Sequence, residues 1–238
     1  MIHAIGFDAD DTLWHNMPLF SATEEKFKQM LSPYHPPDWV EQRLYQTEIR
    51  NLQHFGYGIK GFTLSMIETA IELTEGRIRG EEIANLIEWA REMLTAPVEL
   101  LDHVEPVVRG LCGSYQLLLI TKGDLFDQES KLARSGIGDC FAHVEIVSRK
   151  APEVYRRILD SRGIDPSSFL MVGDSLRSDV LPVVEIGGQA VFIPPRQAWA
   201  HEVVPDAEAS AARFFRIDHL GLLSSVIEQL EDGGPRSD

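Results

Sequence analysis

The sequence is poor in cysteine. Only Cys112 and Cys140 occur among its 238 residues, and they form no Cys-x-x-Cys pair. A disulfide framework needs several cysteines at close spacing and a thiolate zinc site needs paired ones, so neither is indicated. We expect both thiols to be reduced and largely buried, because a free cysteine behaves as a small hydrophobic side chain.

Long apolar runs are also missing. No segment approaches the roughly 18 uncharged residues of a membrane helix. The apolar start of the chain, residues 1–7, is too short for the core of a signal peptide. This pattern predicts a cytoplasmic protein with no membrane partner.

Positive charge is scarce as well. The 22 Lys and Arg residues face 37 Asp and Glu residues, which gives a net charge of −15. Such a charge repels nucleic-acid backbones, so we expect no nucleic-acid partner. A phosphate-binding site in this chain would need local positive charge or a metal ion.

Hydrophobic residues make up 44% of the chain, which is enough to form a sizeable core. Four short apolar runs are typical of buried parallel strands, at residues 2–7, 117–120, 169–172 and 190–193. Helical patterns follow or separate these runs, for example at residues 153–159 and 220–230. The alternation predicts an α/β fold built on a parallel sheet.

The interval from about residue 15 to residue 103 has a different pattern, because it is almost entirely helical. One helix is predicted between Gly80 and Pro97, where apolar residues recur at helical spacing at Ile83, Leu86, Ile87, Ala90 and Leu94. Two more are predicted from Asp38, a candidate N-cap, towards Gln53, and over residues 62–74. An interval this long is not a simple loop. It predicts a helical cap, residues 15–103, inserted into a core of residues 1–14 and 104–238, with a frayed tail at 233–238.

Carboxylates follow two of the predicted strands. Asp8, Asp10 and Asp11 come after the first strand, and Asp174 and Asp179 follow the run at 169–172. An acidic triplet alone is more often a solvated turn or a helix cap. In a parallel sheet, however, ligands bind beyond the carboxyl ends of the strands, where two such groups can meet. Carboxylate oxygens are the ligands that Mg²⁺ prefers, so the pattern predicts a magnesium site.

A hydroxyl group and two cations lie at other predicted strand and helix ends. The second strand leads into Thr121, Lys122 and Gly123, and Lys150 stands just before a predicted helix. Taken alone, such a threonine is more often a turn cap and such a lysine a solvated surface charge. Beside a phosphoryl group, the hydroxyl would donate to an oxygen and the ammonium would supply positive charge.

The order of these features resembles the haloacid dehalogenase superfamily of hydrolases. The chain has Asp-x-Asp at Asp8 and Asp10, then Thr121, then Lys150, then Gly-Asp-x-x-x-x-Asp ending at Asp179. The resemblance implies a Rossmann-like parallel sheet with helices on both faces and an inserted helical cap. It also implies a Mg²⁺-dependent phosphatase acting on a small phosphorylated metabolite.

The resemblance assigns a role to each of these residues. Asp8 would be the nucleophile and Asp10 the general acid and then the general base, while Thr121 and Lys150 would orient and neutralise the phosphoryl group. The implied metal ligands are Asp8, Asp10, Asp174 and Asp179, and the implied phosphate-binding residues are Asp11, Thr12, Thr121, Lys122, Gly123 and Lys150. The family commonly has Lys-Pro-x-Pro, whereas Ala151 follows the lysine here, so Arg149 is an alternative to Lys150.

Asp10 favours phosphate-ester hydrolysis over dehalogenation, because a halide leaving group needs no proton. A 2-haloacid dehalogenase-type hydrolase, a phosphomutase and a non-catalytic phospho-receiver are the alternatives. The substrate class is open between nucleotide, sugar and other small phosphate esters. We expect a monomer or a homodimer.

Overall fold

The computed structural model describes residues 1–197, 199–205 and 212–232. The predicted frayed tail, residues 233–238, lies outside this part of the chain. Within the described ranges, six strands form one sheet: β1 (Ala4–Phe7), β2 (Gln116–Lys122), β3 (His143–Val147), β4 (Phe169–Gly173), β5 (Gln189–Phe192) and β6 (Phe215–Arg216). Their order is β3-β2-β1-β4-β5-β6, and each neighbouring pair is parallel.

Strand β1 lies inside the sheet, where the direction of the strand order reverses. Phe7 is opposite Leu119 of β2 on one side and Val172 of β4 on the other. Gly6 is needed for this close packing, since a Cβ there would lie 2.6 Å from the ring of Phe169. Residues just beyond Phe7 therefore emerge at the switch point of the sheet, where parallel α/β proteins bind ligands.

Helices cover both faces of the sheet because successive side chains of a strand point to opposite faces. The described helices of this region are α5 (Val104–Leu111), α6 (Leu125–Ser135), α7 (Pro152–Arg162), α8 (Leu181–Glu185) and α9 (Leu223–Glu231). Ile5 and Phe7 pack in the cluster that includes residues of α5 and α9. Ala4, Leu118 and Phe169 pack in the cluster that includes residues of α7 and α8. The predicted α/β fold is confirmed.

The edge strands were not predicted. In β3 the residues are half-buried or exposed, and two of them, His143 and Glu145, are polar. Glu145 forms an ion pair with Arg162 at 2.7 Å. Because an edge strand has only one paired side and a partly solvated face, it lacks the apolar run that marks an interior strand. Strand β6 is only two residues long.

The chain divides into two compact units. The first contains residues 1–15, 98–122 and the described residues from Ser130 onwards, and the second contains residues 16–97 and 123–129. Four helices make up most of the second unit: α1 (Met17–Leu31), α2 (Pro37–Phe55), α3 (Ile59–Leu73) and α4 (Gly80–Thr95). They share a core that includes Phe27, Leu44 and Met66. The cap boundaries inferred from the sequence stay a prediction.

Two local expectations were wrong. Asp38 is not the N-cap of α2, because the helix begins at Pro37 with Pro36 as its N-cap, and Asp38 lies in the first turn. A carboxylate there still interacts favourably with the helix dipole.

The second wrong expectation concerns the cysteines. Cys140 is buried as expected, whereas Cys112 is exposed because it ends α5 at a surface turn. Burial and the neighbouring Cys112 side chain raise the pKa of Cys140 to about 11.

Within the described ranges, we find no helix with the length and apolar character needed to span a membrane.

Candidate active site

Asp8 lies directly beyond β1 and is 7% exposed. Its backbone N–H donates to Val172 O at 2.9 Å, so the residue stays in register with β4. The chain then turns back, with the Leu13 N–H donating to Ala9 O at 2.8 Å. This turn brings the Thr12 hydroxyl to 3.3 Å from Asp8 Oδ2 and 3.5 Å from Asp174 Oδ1. Thr12 can therefore donate to either carboxylate.

Asp10 is held on the same turn by two donors. The indole N–H of Trp14 donates to Asp10 Oδ1 at 2.7 Å. The ammonium of Lys131 lies 3.0 Å from Oδ1 and 3.3 Å from Oδ2. Lys131 is a buried residue of α6 that sequence reasoning missed. Asp11 has a φ of 60°, which is unusual for a residue other than glycine, and its N–H donates to Trp14 O at 2.8 Å. The orientation of the Asp10 carboxylate is thus defined by its neighbours.

Lys150 lies beside Asp8. Its side chain is 1% exposed, and its ammonium contacts Asp8 Oδ1 and lies 2.6 Å from Asp179 Oδ1. Burial opposes the charge, but the carboxylates of Asp179 and Asp8 raise the pKa of Lys150 well above its usual value. Arg149, the alternative cation, is 68% exposed and pairs with Glu153 at 2.5 Å. Of the two candidates, Lys150 is the buried one and lies beside Asp8, whereas Arg149 lies at the surface.

The turn after β4 is π-helical over Leu176–Val180, and it places the Asp179 side chain near the end of that strand. The Ser175 N–H donates to Asp179 Oδ2 at 3.0 Å. The Tyr155 hydroxyl donates to Ser178 O at 3.0 Å and lies 3.5 Å from Asp179 Oδ1. Burial raises the pKa of Asp179 to about 6, although Lys150 opposes that change. The Ser175 N–H and the Lys150 ammonium therefore orient the Asp179 carboxylate, and Tyr155 holds the backbone just before it.

Gly173 is required by the approach of Asp179. A Cβ at position 173 would lie 2.3 Å from Asp179 Cγ and 2.4 Å from Asp179 Oδ2. We expect Gly173→Ala to lower the free energy of unfolding by about 1–3 kcal/mol, since β4 is fixed between two strands and Asp179 must move. Urea denaturation followed by circular dichroism measures this change.

The matched control for that substitution is Gly110→Ala. Gly110 lies inside α5, and a Cβ there meets nothing within 4 Å. Alanine is favoured over glycine in a helix, so the control should keep or raise the urea midpoint. If both variants unfold at the same urea concentration as the parent protein, the close approach of Asp179 to β4 is not a constraint.

Three carboxylates at this end of the sheet fit a divalent metal ion. One oxygen from each of Asp8, Asp174 and Asp179 lies within 4.8 Å of the others. Burial, together with the charges of Asp8 and Asp179, raises the pKa of Asp174 well above its usual value. The single ammonium of Lys150 does not balance three carboxylates. An all-oxygen donor set with excess negative charge suits Mg²⁺.

Thr121 and Lys122 end strand β2. The Thr121 side chain is buried, and its hydroxyl donates to Lys122 O at 3.3 Å. The Lys122 ammonium lies 2.8 Å from Ser178 Oγ and 2.5 Å from Glu202 Oε1. Gly123 has a φ of 135° that favours glycine and belongs to the second compact unit. The structure thus joins Thr12, Lys150 and the three carboxylates, while Lys122 is engaged with Glu202.

The sequence of this chain is similar to those of several known proteins. The family model for haloacid dehalogenase-like hydrolases matches residues 2–187. The chain is 26% identical over 235 residues to the 5-amino-6-(5-phospho-D-ribitylamino)uracil phosphatase YigB of Escherichia coli (strain K12), covering 88% of this chain and 92% of that protein. It is 25% identical over 194 residues to the N-acylneuraminate-9-phosphatase of Mus musculus, covering 75% and 77%.

A solved structure extends the comparison. The haloacid dehalogenase-like family hydrolase from Xanthomonas campestris has a TM-score of 0.86 and 39% identity, covering 98% of this chain and 93% of that chain. The prediction of an enzyme of the haloacid dehalogenase-like phosphatase class is confirmed by these matches. The chain belongs to the haloacid dehalogenase-like hydrolase family.

Proposed function

We propose that this chain is a Mg²⁺-dependent phosphatase that hydrolyses a small phosphate monoester through an aspartyl-phosphate on Asp8. The observation that carries the proposal is the contact of the buried Asp8 carboxylate with Lys150, next to Asp174 and Asp179. A nucleophile, a cation and two further carboxylates then share the switch point of the sheet.

Charge explains why these groups belong together. A phosphate monoester is anionic and resists attack by a carboxylate. Bound Mg²⁺ would offset this repulsion and help to orient the phosphoryl oxygens. Asp8, Asp174 and Asp179, with the backbone carbonyl of Asp10, would hold the ion. Lys150 adds a fixed positive charge in a buried environment, where electrostatic stabilisation of a transition state is strong.

The reaction has two stages in this proposal. Asp8 attacks phosphorus, the bond to the leaving alcohol breaks, and Asp10 gives that oxygen a proton. Asp10 then takes a proton from the water that attacks the aspartyl-phosphate, which releases phosphate and restores Asp8. The indole of Trp14 and the ammonium of Lys131 keep the Asp10 carboxyl group in place for both transfers.

Binding of the phosphoryl group would involve several short polar groups. Thr12 and Thr121 would supply hydroxyl donors, Lys122 would supply a second ammonium, and the backbone around Asp11 would supply N–H donors. The two named curated relatives are phosphatases of small phosphorylated metabolites. We extend that substrate class to this chain, with nucleotide and sugar phosphates as the first compounds to examine.

Hydrolysis of p-nitrophenyl phosphate tests the proposal. We expect release of nitrophenol and phosphate when Mg²⁺ is present, and loss of that release after treatment with EDTA, because the carboxylates repel the ester without a cation. Restoring Mg²⁺ should restore the activity. A panel of phosphorylated metabolites, assayed by phosphate release, then identifies the substrate class.

The alternatives give different results in the same assays. Halide release from a 2-haloacid that persists in EDTA would favour a dehalogenase. A requirement for a bisphosphate activator would favour a phosphomutase. Stable phosphorylation of Asp8 without phosphate release from any ester would favour a phospho-receiver. Each of these outcomes contradicts the phosphatase proposal.

A further inference from the structure

Glu202 forms a compact network with three residues at the carboxyl end of the sheet. It belongs to a short 3₁₀ turn, Ala200–Glu202, and its side chain is 16% exposed. One carboxylate oxygen accepts from the Lys122 ammonium at 2.5 Å. The other oxygen accepts from Ser175 Oγ at 2.5 Å and from Ser178 Oγ at 2.6 Å. One carboxylate thus joins the end of β2 to the turn after β4.

The hydrogen bonds of this network form a consistent set of donors and acceptors. Ser175 Oγ accepts from the Ser178 N–H at 3.0 Å and donates to Glu202. Ser178 Oγ accepts from the Lys122 ammonium at 2.8 Å and donates to Glu202. Each hydroxyl hydrogen therefore has one defined acceptor. Burial opposes ionisation, but Lys122 and the two hydroxyls lower the pKa of Glu202 to about 2.

The turn fixed by Glu202 is the one that carries Asp179. The Ser175 N–H donates to Asp179 Oδ2 at 3.0 Å, and Ser178 precedes Asp179 directly. Asp179 in turn lies 2.6 Å from the Lys150 ammonium. A shift in the backbone of this turn, which the bonds of the Ser175 and Ser178 hydroxyls hold in place, would therefore move a residue of the carboxylate cluster.

We infer that Glu202 is a positioning residue, which holds Lys122 and the turn from Ser175 to Asp179 in the arrangement that the proposed phosphatase site needs. Glu202 lies beyond residues 2–187, the segment matched by the family model. The inference rests on the proposed function. It adds that the affinity for Mg²⁺ depends on a residue that is not itself a ligand, as is usual for groups that orient metal-binding carboxylates.

Glu202→Gln tests the inference. The amide keeps the shape of the side chain but removes its charge and one of its two acceptor oxygens, so it cannot accept from Lys122 and both hydroxyls. We expect Mg²⁺ affinity to fall by about 10–100-fold. With saturating Mg²⁺, kcat should recover more fully than KM, because the Lys122 ammonium has lost its only carboxylate partner among the contacts described above, while its bond to Ser178 Oγ remains. Titration calorimetry with MgCl₂ measures the affinity, and p-nitrophenyl phosphate kinetics give kcat and KM.

Glu105→Gln is the control. Glu105 also pairs with a cation, Arg109, at 3.1 Å, but this pair is exposed on α5. The control should leave Mg²⁺ affinity and kinetics unchanged. Ser175→Ala is the second test variant, because it removes one hydroxyl of the network and avoids a buried amide. If Glu202→Gln does not fold, Ser175→Ala alone should still weaken Mg²⁺ binding.

The outcomes separate this inference from the proposed function. A parent protein that releases no phosphate from any ester refutes the phosphatase proposal, whatever Glu202 does. An active parent protein, combined with Glu202→Gln and Ser175→Ala variants whose Mg²⁺ affinity stays within twofold, refutes the positioning role. A lower melting temperature with unchanged Mg²⁺ affinity would also overturn it, because it would show a purely structural contact.

Discussion

Asp8→Asn should reduce turnover of p-nitrophenyl phosphate by about 10⁴-fold or more, because the amide cannot form the covalent intermediate. The variant should keep its fold. Asparagine has nearly the shape of aspartate, and Lys150 retains Asp179 as a partner. Losing one of three mutually repelling carboxylates also lowers the electrostatic strain around Asp174. Initial rates and thermal denaturation measure the two effects.

Asp139→Asn is the control for this substitution. Asp139 is exposed, and its carboxylate lies 3.6 Å from Arg109. Its loss should change neither rate nor melting temperature. A second measurement, intact mass after brief incubation with a phosphoryl donor, should detect the added phosphate on the parent protein and not on Asp8→Asn. Undiminished activity of Asp8→Asn would contradict the mechanism.

Lys150→Met has the second largest expected effect. Removing the ammonium leaves the carboxylates of Asp8, Asp174 and Asp179 close together. The lysine that bridges Asp8 and Asp179 is then gone. Breaking a buried ion pair from one side costs about 3–5 kcal/mol of folding free energy. We also expect kcat/KM to fall by about 10²–10³-fold, as it does when one fixed group that stabilises transition-state charge is removed. Urea denaturation in EDTA and initial-rate kinetics check both values.

Arg149→Met provides the matched control for Lys150→Met. The two residues are neighbours in the sequence, but Arg149 is exposed and its ion pair with Glu153 is a surface pair. Such pairs contribute only about 0–1 kcal/mol. Added Mg²⁺ should stabilise Lys150→Met more than it stabilises Arg149→Met, because the dication supplies the missing charge. Equal effects of the two substitutions would remove Lys150 from the proposed mechanism.

The interior of the sheet was predictable from the sequence, and the physical reason is burial on both faces. In β1 and β4, all the residues are buried, so each strand is an apolar run that stands out. The end of such a run also marks the place where Asp8 and Asp174 emerge. Strand β3 carries polar residues at the sheet edge, and its pattern therefore resembled a loop.

The partners of the carboxylates were not predictable in the same way. Lys131 on α6 and Glu202 on a 3₁₀ turn are single charged residues, which are usually solvated surface groups. Only the fold brings them to Asp10 and to Lys122. Lys150 could be named as a candidate because its place in the order of motifs resembled that in a known family. Its burial and its contact with Asp179 could not be predicted.

The position of β1 in the sheet has a consequence for biosynthesis. Among the strands of the described sheet, β1 leaves the ribosome first, but its partners β2 and β4 begin only at Gln116 and Phe169. At about 5–20 residues per second, the nascent chain needs roughly 10–30 s to complete β4. Both edges of β1 are unpaired until β2 has been made, and one edge stays unpaired until β4 has been made, while the helices α1 to α4 can already form local contacts. The apolar residues around Phe7 therefore stay accessible to chaperones, and able to aggregate, for a longer time than the residues of any other strand of the sheet.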